Sequence, residues 1–219
     1  MKIAIFGDSN VWGFDPCTGL RQSSRFVSDL AILEPHWQIV EDGLNGRLLD
    51  SQEPYFYESA GSRQIARFTL AAAPYDLLVI VLGSNDARRM FNRSLKGWTQ
   101  SFERFVSLCK QANEKACAAA RCKIAPILFV EPPAIPASLR NNYEAIGSYG
   151  EEGMAILAGC GKVIHRIADQ EHCFVLDTQK AGLTGGMIDG IHLDKTGHEK
   201  LAHLLADRIE QMVRQQIIT

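Results

Sequence analysis

Apolar and polar positions along the chain fall into five short apolar runs separated by stretches of helical period. The first run, Ile3-Ala4-Ile5-Phe6, stops at Gly7-Asp8-Ser9 and predicts a buried strand that ends in a polar turn. A helix follows, with Ser23 or Ser24 as its cap and Phe26, Leu30 and Leu33 leading to a break at Pro35. Trp37-Gln38-Ile39-Val40-Glu41 predicts a second strand, ending in the glycine-bearing loop Asp42-Gly43-Leu44-Asn45-Gly46-Arg47. Residues 48–62 are rich in Ser, Glu, Pro and Tyr and have no period, so they predict a surface excursion, followed by a helix over 65–73 that Pro74 closes. Six consecutive apolar residues, 77–82, lie between Asp76 and Gly83 and predict a strand covered on both faces, as in a parallel sheet. It too ends in a polar turn, Gly83-Ser84-Asn85-Asp86.

Trp98, Phe102, Phe105, Cys109, Ala112 and Ala116 recur at steps of three and four, one helical face whose regularity marks core packing rather than a cofactor box. Residues 124–130 predict a fourth strand in which Pro126 marks a bulge or the strand's start, and a stiff loop, Glu131-Pro132-Pro133-Ala134-Ile135-Pro136, comes after it. A capping box from Ser148 to Glu151 opens a helix through Met154, Leu157, Val163, Ile164 and Ile167, with Gly159 and Gly161 weakening its middle. Residues 173–177 form the fifth strand; a second capping box, Thr196 to Glu199, starts a last helix with Leu201, Leu204, Leu205, Ile209, Met212 and Val213 on its apolar face. Strands alternating with helices in this way predict an α/β fold of three layers, α/β/α, with a five-stranded parallel sheet in flavodoxin-like order.

Composition narrows the picture. A chain of 219 residues with 46% hydrophobic content supports one sizeable core, so a single domain over 1–219 is expected. Lysine and arginine number 23 against 25 acids, a formal net charge of −2 without long like-charge runs, which argues against nucleic-acid or membrane partners. After Met1-Lys2 the chain enters a strand with no signal-like segment, and its longest apolar run is far shorter than the roughly 20 residues a spanning helix needs. The six cysteines, Cys17, Cys109, Cys117, Cys122, Cys160 and Cys173, lack a Cys-x-x-Cys pair and are expected to be reduced and mostly buried. No metal or cofactor is indicated, and a cytoplasmic setting is expected.

Three strand-end loops share a character: Gly7-Asp8-Ser9, Gly43-Leu44-Asn45-Gly46 and Gly83-Ser84-Asn85-Asp86. In an open α/β sheet, ligands sit at the carboxyl ends of the strands, which places Ser9 as a candidate nucleophile, although Gly-Asp-Ser alone serves equally well as a bend. Glycine amides and an asparagine side chain supply the neutral donors that an oxyanion needs during acyl transfer to serine. Asp189-Gly190-Ile191-His192 offers a base and its orienting carboxylate within one turn. The other histidines, His36, His165, His172, His198 and His203, have no matching carboxylate at a strand end in this reading and are assigned to surface or capping roles.

Taken together, Gly7-Asp8-Ser9-Asn10, Leu44-Asn45-Gly46, Gly83-Ser84-Asn85-Asp86 and Asp189-Gly190-Ile191-His192 resemble, in order, the four motif blocks of the SGNH-hydrolase superfamily, also called the GDSL esterases. The resemblance implies Ser9 as nucleophile, His192 as base and Asp189 as its partner, with an oxyanion hole from the amides of Ser9 and Gly46 and the side chain of Asn85. Asn10 departs from the family's usual leucine, which draws attention to the acyl pocket. Trp12 with Gly13, and the 41–47 segment, look closest to the bacterial arylesterase and acyltransferase branch, which implies short acyl esters as substrates and a homo-oligomer. Asn10, Trp12 and Phe14 are candidate pocket residues, with Phe91 and the 132–136 loop as further walls. The alternatives are a carbohydrate O-deacetylase with the same triad and a non-catalytic binding module. A nucleotide-binding fold is disfavoured, since no Gly-x-Gly-x-x-Gly follows the first strand and no Gly-Lys-Ser is present.

Overall fold

The structure, a computed structural model, describes residues 1–51, 54–142 and 146–218. Five strands, β1 (Lys2–Gly7), β2 (Gln38–Gly43), β3 (Leu77–Val81), β4 (Ile127–Val130) and β5 (Phe174–Leu176), form one parallel sheet in the order β2-β1-β3-β4-β5. The helices are α1 (Ser9–Trp12), α2 (Phe26–Leu33), α3 (Gly61–Ala72), α4 (Leu95–Ala120), α5 (Gly150–Gln170) and α6 (Lys195–Arg214). This is the three-layer, flavodoxin-like arrangement, with the sheet covered on both faces.

Strand alternation divides the core in two. Ala4, Phe6, Leu78, Ile80, Ile127 and Phe129 point to one side, where Phe68 of α3, Phe102 and Phe105 of α4 and Ile156 and Ile164 of α5 meet them. Ile3, Ile5, Leu77, Val79, Leu128 and Val130 point to the other, against Phe26 and Leu30 of α2 and Leu201, Leu205 and Ile209 of α6. All five residues of β3 are buried, which explains its unbroken apolar run. The helical stripe of α4 is indeed core: Trp98 stacks on Phe102 at 5.3 Å between centroids, and Phe102 meets Phe129 edge-on at 5.3 Å. Each fully buried side chain of this kind contributes on the order of 1.5–3 kcal/mol.

Several local expectations give way to nearby competitors. Neither Ser23 nor Ser24 caps α2; the Ser24 hydroxyl bonds Asp29 Oδ1 at 3.0 Å, and the first helical amide, Phe26 N–H, donates to His198 Nδ1 at 3.2 Å. His198 is therefore buried inside the fold, capping from α6. At α6 the cap is Asp194, whose carboxylate accepts from Gly197 N–H at 2.8 Å, while Thr196 donates its hydroxyl to that same carboxylate; a charged acceptor outcompetes a hydroxyl for helix amides. The Ser148–Glu151 box does not form either: Tyr149 precedes α5 without a side-chain cap, and the Ser148 carbonyl accepts from Arg89 N–H at 2.7 Å. Glycines 159 and 161 do not interrupt α5. A Cβ at Gly161 would fall 1.6 Å from Glu131 Oε1, so the glycine makes room for a buried carboxyl whose pKa burial pushes up to about 7.

The 48–62 segment is not wholly a surface excursion. Leu48 and Leu49 are fully buried and Asp50 and Ser51 are buried, because Leu49 joins the α3–α4 side of the core. Residues 52 and 53 lie outside the described residues; Pro54–Ser59 forms a 3-10 turn, and α3 starts at Gly61 rather than at 65. Pro126 marks the start of β4: it has no N–H to give, but its carbonyl accepts from Leu78 N–H at 3.1 Å. None of the six cysteines is in a disulfide; Cys109, Cys117 and Cys160 are buried, Cys17 is exposed and the other two are intermediate. No described helix is long and apolar enough to cross a membrane.

Candidate active site

The carboxyl end of β1 packs so tightly that a Cβ on Gly7 would sit 2.2 Å from the Val81 carbonyl oxygen of β3, so only glycine fits. The next residue, Asp8, is buried and accepts from the Asn10 amide at 3.0 Å and the Ser84 hydroxyl at 2.9 Å. Burial raises the Asp8 pKa, and those two hydrogen bonds pull the other way. Asp8 thus caps α1 and ties the turn after β1 to the turn after β3. Ser9 opens α1, which leaves its amide among those that no helical turn uses.

His192 is brought to Ser9 from the far end of the chain. Its Nε2 lies 2.9 Å from Ser9 Oγ, and its Nδ1 lies 2.5 Å from Asp189 Oδ2. The other oxygen of Asp189 accepts the backbone amides of Ile191 and His192, each at 3.0 Å. That turn depends on Gly190, whose φ of +77° is the left-handed conformation glycine adopts without strain. Burial alone would raise the Asp189 carboxyl, but the hydrogen bond and charge of His192, with the two amides, outweigh it and hold the pKa below the usual value. The ring of Phe14 lies 4.7 Å from the imidazole, centroid to centroid.

Gly46 and Asn85 arrive on the loops after β2 and β3. Asn85 Nδ2 donates to the Arg47 carbonyl at 3.1 Å, which fixes the plane of its amide. Arg47 is itself buried under the site: its guanidinium donates to the carbonyls of Gly7 (2.7 Å) and Asp42 (2.6 Å), to Asp42 Oδ1 and to Gln64 Oε1, and lies 4.0 Å from the centroid of the Phe6 ring. On the other flank, Trp98 Nε1 donates to the Gly83 carbonyl at 2.9 Å. The core helix α4 thereby holds the loop that carries Asn85.

These loops enclose a cavity of about 220 Å³. Ser9, Gly46, Asn85, Asp189, His192 and Phe14 line it, as do Asn45, Arg88, Ile146, Ser148, Tyr149 and Ile191. The other expected walls lie elsewhere. Asn10 is buried with both side-chain atoms engaged: Oδ1 accepts from Leu193 N–H at 2.9 Å and Nδ2 donates to the Ile191 carbonyl at 3.4 Å. It spans the serine and histidine turns instead of facing the pocket. Trp12 stands behind Phe14, with ring centroids 6.4 Å apart, under the guanidinium of Arg21. Phe91 packs edge-on against Phe56 at 4.9 Å, and Ala134 in the 132–136 loop bridges to Thr184. Neither borders the cavity.

The residues missing from the sequence reading have a common cause. Ile146, Ser148 and Tyr149 come from the segment before α5, whose position is set by the Arg89–Ser148 backbone bond, and the Ser148–Glu151 capping pattern announces a helix there, not a pocket. Arg88 did leave a trace, three residues beyond Asn85 on the same turn. His165 also departs from expectation, since its Nε2 lies 3.4 Å from Asp177 Oδ2 beyond the end of β5, outside this cavity. Among the described residues no group of three or more His, Cys, Asp or Glu side chains could hold a metal ion.

Comparisons with known proteins point the same way as the motifs. A family model described as GDSL-like lipase/acylhydrolase matches residues 5–200. Est24, a carbohydrate acetylesterase from Sinorhizobium meliloti, superposes with a TM-score of 0.80 at 24% identity over 96% of this chain and 99% of that one. A carbohydrate acetylesterase family member from the same organism gives 0.81 at 25% identity, over 97% and 99%. The aryl esterase of M. smegmatis gives 0.79 at 22% identity, over 96% and 98%. A search of curated proteins finds no match.

Proposed function

This chain belongs to the GDSL-like lipase/acylhydrolase family, and on that premise we propose that it is a serine esterase that cleaves short-chain acyl esters through a covalent acyl-enzyme. The observation that carries the reading is the continuous relay from Ser9 Oγ to His192 Nε2 (2.9 Å) and from His192 Nδ1 to Asp189 Oδ2 (2.5 Å), opening on a cavity of about 220 Å³. A scaffold that only bound ligands would gain nothing from holding all three groups in this register.

In this reading, Ser9 Oγ attacks the ester carbonyl carbon as His192 Nε2 takes the hydroxyl proton. The carbonyl oxygen becomes an oxyanion, met by the amides of Ser9 and Gly46 and by Asn85 Nδ2. Asp189 keeps the Nδ1 proton in place and stabilises the imidazolium without taking the proton itself. The carbon–oxygen bond to the alcohol breaks, and the leaving alkoxide collects the proton from His192. Water then gives a proton to His192 and its oxygen to the acyl carbon; the Ser9–acyl bond breaks, Ser9 recovers the proton, and the carboxylic acid departs. An alcohol entering in place of water would carry the acyl group away as a new ester, and the apolar lining from Phe14, Ile146 and Ile191 supports that second outcome.

Labelling with a fluorophosphonate followed by peptide mapping tests the assignment. The expected adduct is on Ser9, and Ser9→Ala is expected to lose ester turnover by about 10⁴-fold or more while remaining folded. Modification of a different residue, or full activity in the variant, would overturn it. The carbohydrate acetylesterases among the structural relatives support a second reading, an acetylated sugar as substrate. Comparing kcat/KM on an aryl acetate and on a peracetylated sugar decides between the two.

A further inference from the structure

Among the described residues that line the cavity, Arg88 is a charged one that the reaction above does not use. It follows the 3-10 turn Asn85–Ala87, and its amide donates to the Asn85 carbonyl at 3.1 Å, so the turn that aims the Asn85 side chain also aims Arg88. The platform is rigid. The next amide, Arg89 N–H, is bonded to the Ser148 carbonyl, and a Cβ on Gly153 of α5 would lie 2.2 Å from the Ala87 carbonyl oxygen. Arg88 therefore stands at a fixed place on the cavity wall, beside Ser148 and Tyr149.

Among the described residues, nothing neutralises its charge. Arg25, Arg47 and Arg93 are each paired with a carboxylate, of Glu41, Asp42 and Asp86 respectively, at 2.5–2.8 Å. Arg88, by contrast, makes no side-chain hydrogen bond or ion pair with any described residue, although it is only partly exposed. Among the described residues, the one carboxylate lining the cavity, Asp189, is occupied by His192 and two backbone amides. A guanidinium without a described partner in a small, largely apolar cavity retains its capacity for a bidentate bond to an incoming anion. Ser148 and Tyr149 also line the cavity, and each carries a hydroxyl that can add a neutral donor.

Resting on the serine-esterase reading, we propose that Arg88 is a specificity-determining residue and that the substrate is an ester carrying a carboxylate, or an anion of similar size, within reach of the reacting carbonyl. A cavity of about 220 Å³ suits a compact acid beside the ester group. That anion belongs either to the acyl part, as in a dicarboxylic acid half-ester, or to the alcohol part. Both sources present the same group to Arg88.

Two substrate pairs separate the sources: monoethyl succinate against ethyl butyrate for the acyl side, and 4-acetoxybenzoate against its methyl ester for the alcohol side, followed by pH-stat. The wild-type protein is expected to prefer the anionic member of one pair. Arg88→Gln is expected to lower the anionic-to-neutral ratio of kcat/KM in that pair by about 10- to 100-fold, and Arg88→Lys to restore part of it. An equal fall on both members, or a ratio that does not move, would overturn the proposal. Should no ester be turned over, the esterase reading fails on its own, and calorimetric binding of monoethyl succinate to Ser9→Ala and to Ser9→Ala/Arg88→Gln still decides for Arg88. Equal affinity, or no binding to either, rejects it; binding lost with the arginine supports it.

Discussion

Replacing Asn10 by leucine, the residue the family usually carries there, tests how the site is held together. Asn10 joins two turns that are 183 positions apart in sequence: its Oδ1 accepts from Leu193 N–H at 2.9 Å, and its Nδ2 donates to the Ile191 carbonyl at 3.4 Å. Leucine nearly matches asparagine in length, so the main loss is polar. The Leu193 amide, in a residue only 1% exposed, would be left without its acceptor, a cost of about 1–3 kcal/mol. The longer bond to Ile191 contributes less. At about 2–4 °C per kcal/mol for a chain of this size, a destabilisation of about 2 kcal/mol lowers Tm by roughly 4–8 °C.

The effect on turnover follows from where the two anchors lie. Ile191 and Leu193 flank His192, so Asn10 fixes the backbone on either side of the proposed base relative to the helix that presents Ser9. Loosening that span displaces Nε2 from its 2.9 Å contact, and a shift of about 1 Å at a reacting group costs up to about 10²-fold. We expect kcat on a neutral aryl acetate to fall by roughly tenfold or more with KM little changed, because Asn10 does not border the cavity. Differential scanning calorimetry and steady-state kinetics on the same preparation measure both. A variant with unchanged Tm and kcat would refute the bracing role, and a change confined to KM would return Asn10 to the substrate pocket.

Two further outcomes are expected. Asn85→Ala should lower kcat by about 10²- to 10³-fold through loss of an oxyanion donor. Because Asn85 also holds the Arg47 carbonyl, denaturation must be measured alongside, and a stability loss with kcat intact would make Asn85 a loop staple only. His198 is buried and its pKa is pushed down to about 4, first by burial and then by the nearby Arg25 charge. A histidine lowered from 6.5 to about 4 binds fewer protons folded than unfolded in that interval, so its contribution is intact above pH 6.5 and lost as pH falls toward 4, by about 3 kcal/mol. In urea titrations across pH 7 to 4, His198→Gln should show a shallower fall than the wild-type chain; parallel slopes would contradict the assignment.

The fold was legible because its signals are local. The unbroken apolar runs of β1 and β3 and the stripe of α4 each report burial locally, and the strand-end loops follow from where those runs stop. What escaped was any feature settled by a competitor distant in sequence. Ser23 and Ser24 are sound caps by composition, yet α2 takes its acceptor from His198, more than 170 positions away. Leu48 and Leu49 sit in a stretch whose polar neighbours disguise them, and they become core only when the loop folds under α3 and α4. The cavity wall from 146–149 carries only the Ser148–Glu151 capping pattern, which points to a helix start and not to a pocket, and its place depends on a backbone bond to Arg89. Asn10 stands out in the sequence beside the serine, but a side chain that bonds two backbone groups across the site is indistinguishable from a pocket residue until both turns are placed.

That distribution bears on how the site keeps its shape. The three strand-end loops and the histidine turn are each tied to another element by a polar bond that is buried or nearly so: Asp8 to Ser84, Asn85 to Arg47, Trp98 to Gly83 and Asn10 to Leu193. None of these bonds takes part in proton transfer, and all of them restrict where Ser9, Asn85 and His192 can be. Preorganised donors act on an oxyanion without a reorganisation cost at the moment of reaction, which is where most of their catalytic value lies. The same restriction fixes the side of the cavity that carries Ser9, Asn85 and His192. Substrate choice then falls to the groups on the wall that are not tied down, and among the charged ones lining the cavity Arg88 alone lacks a described partner.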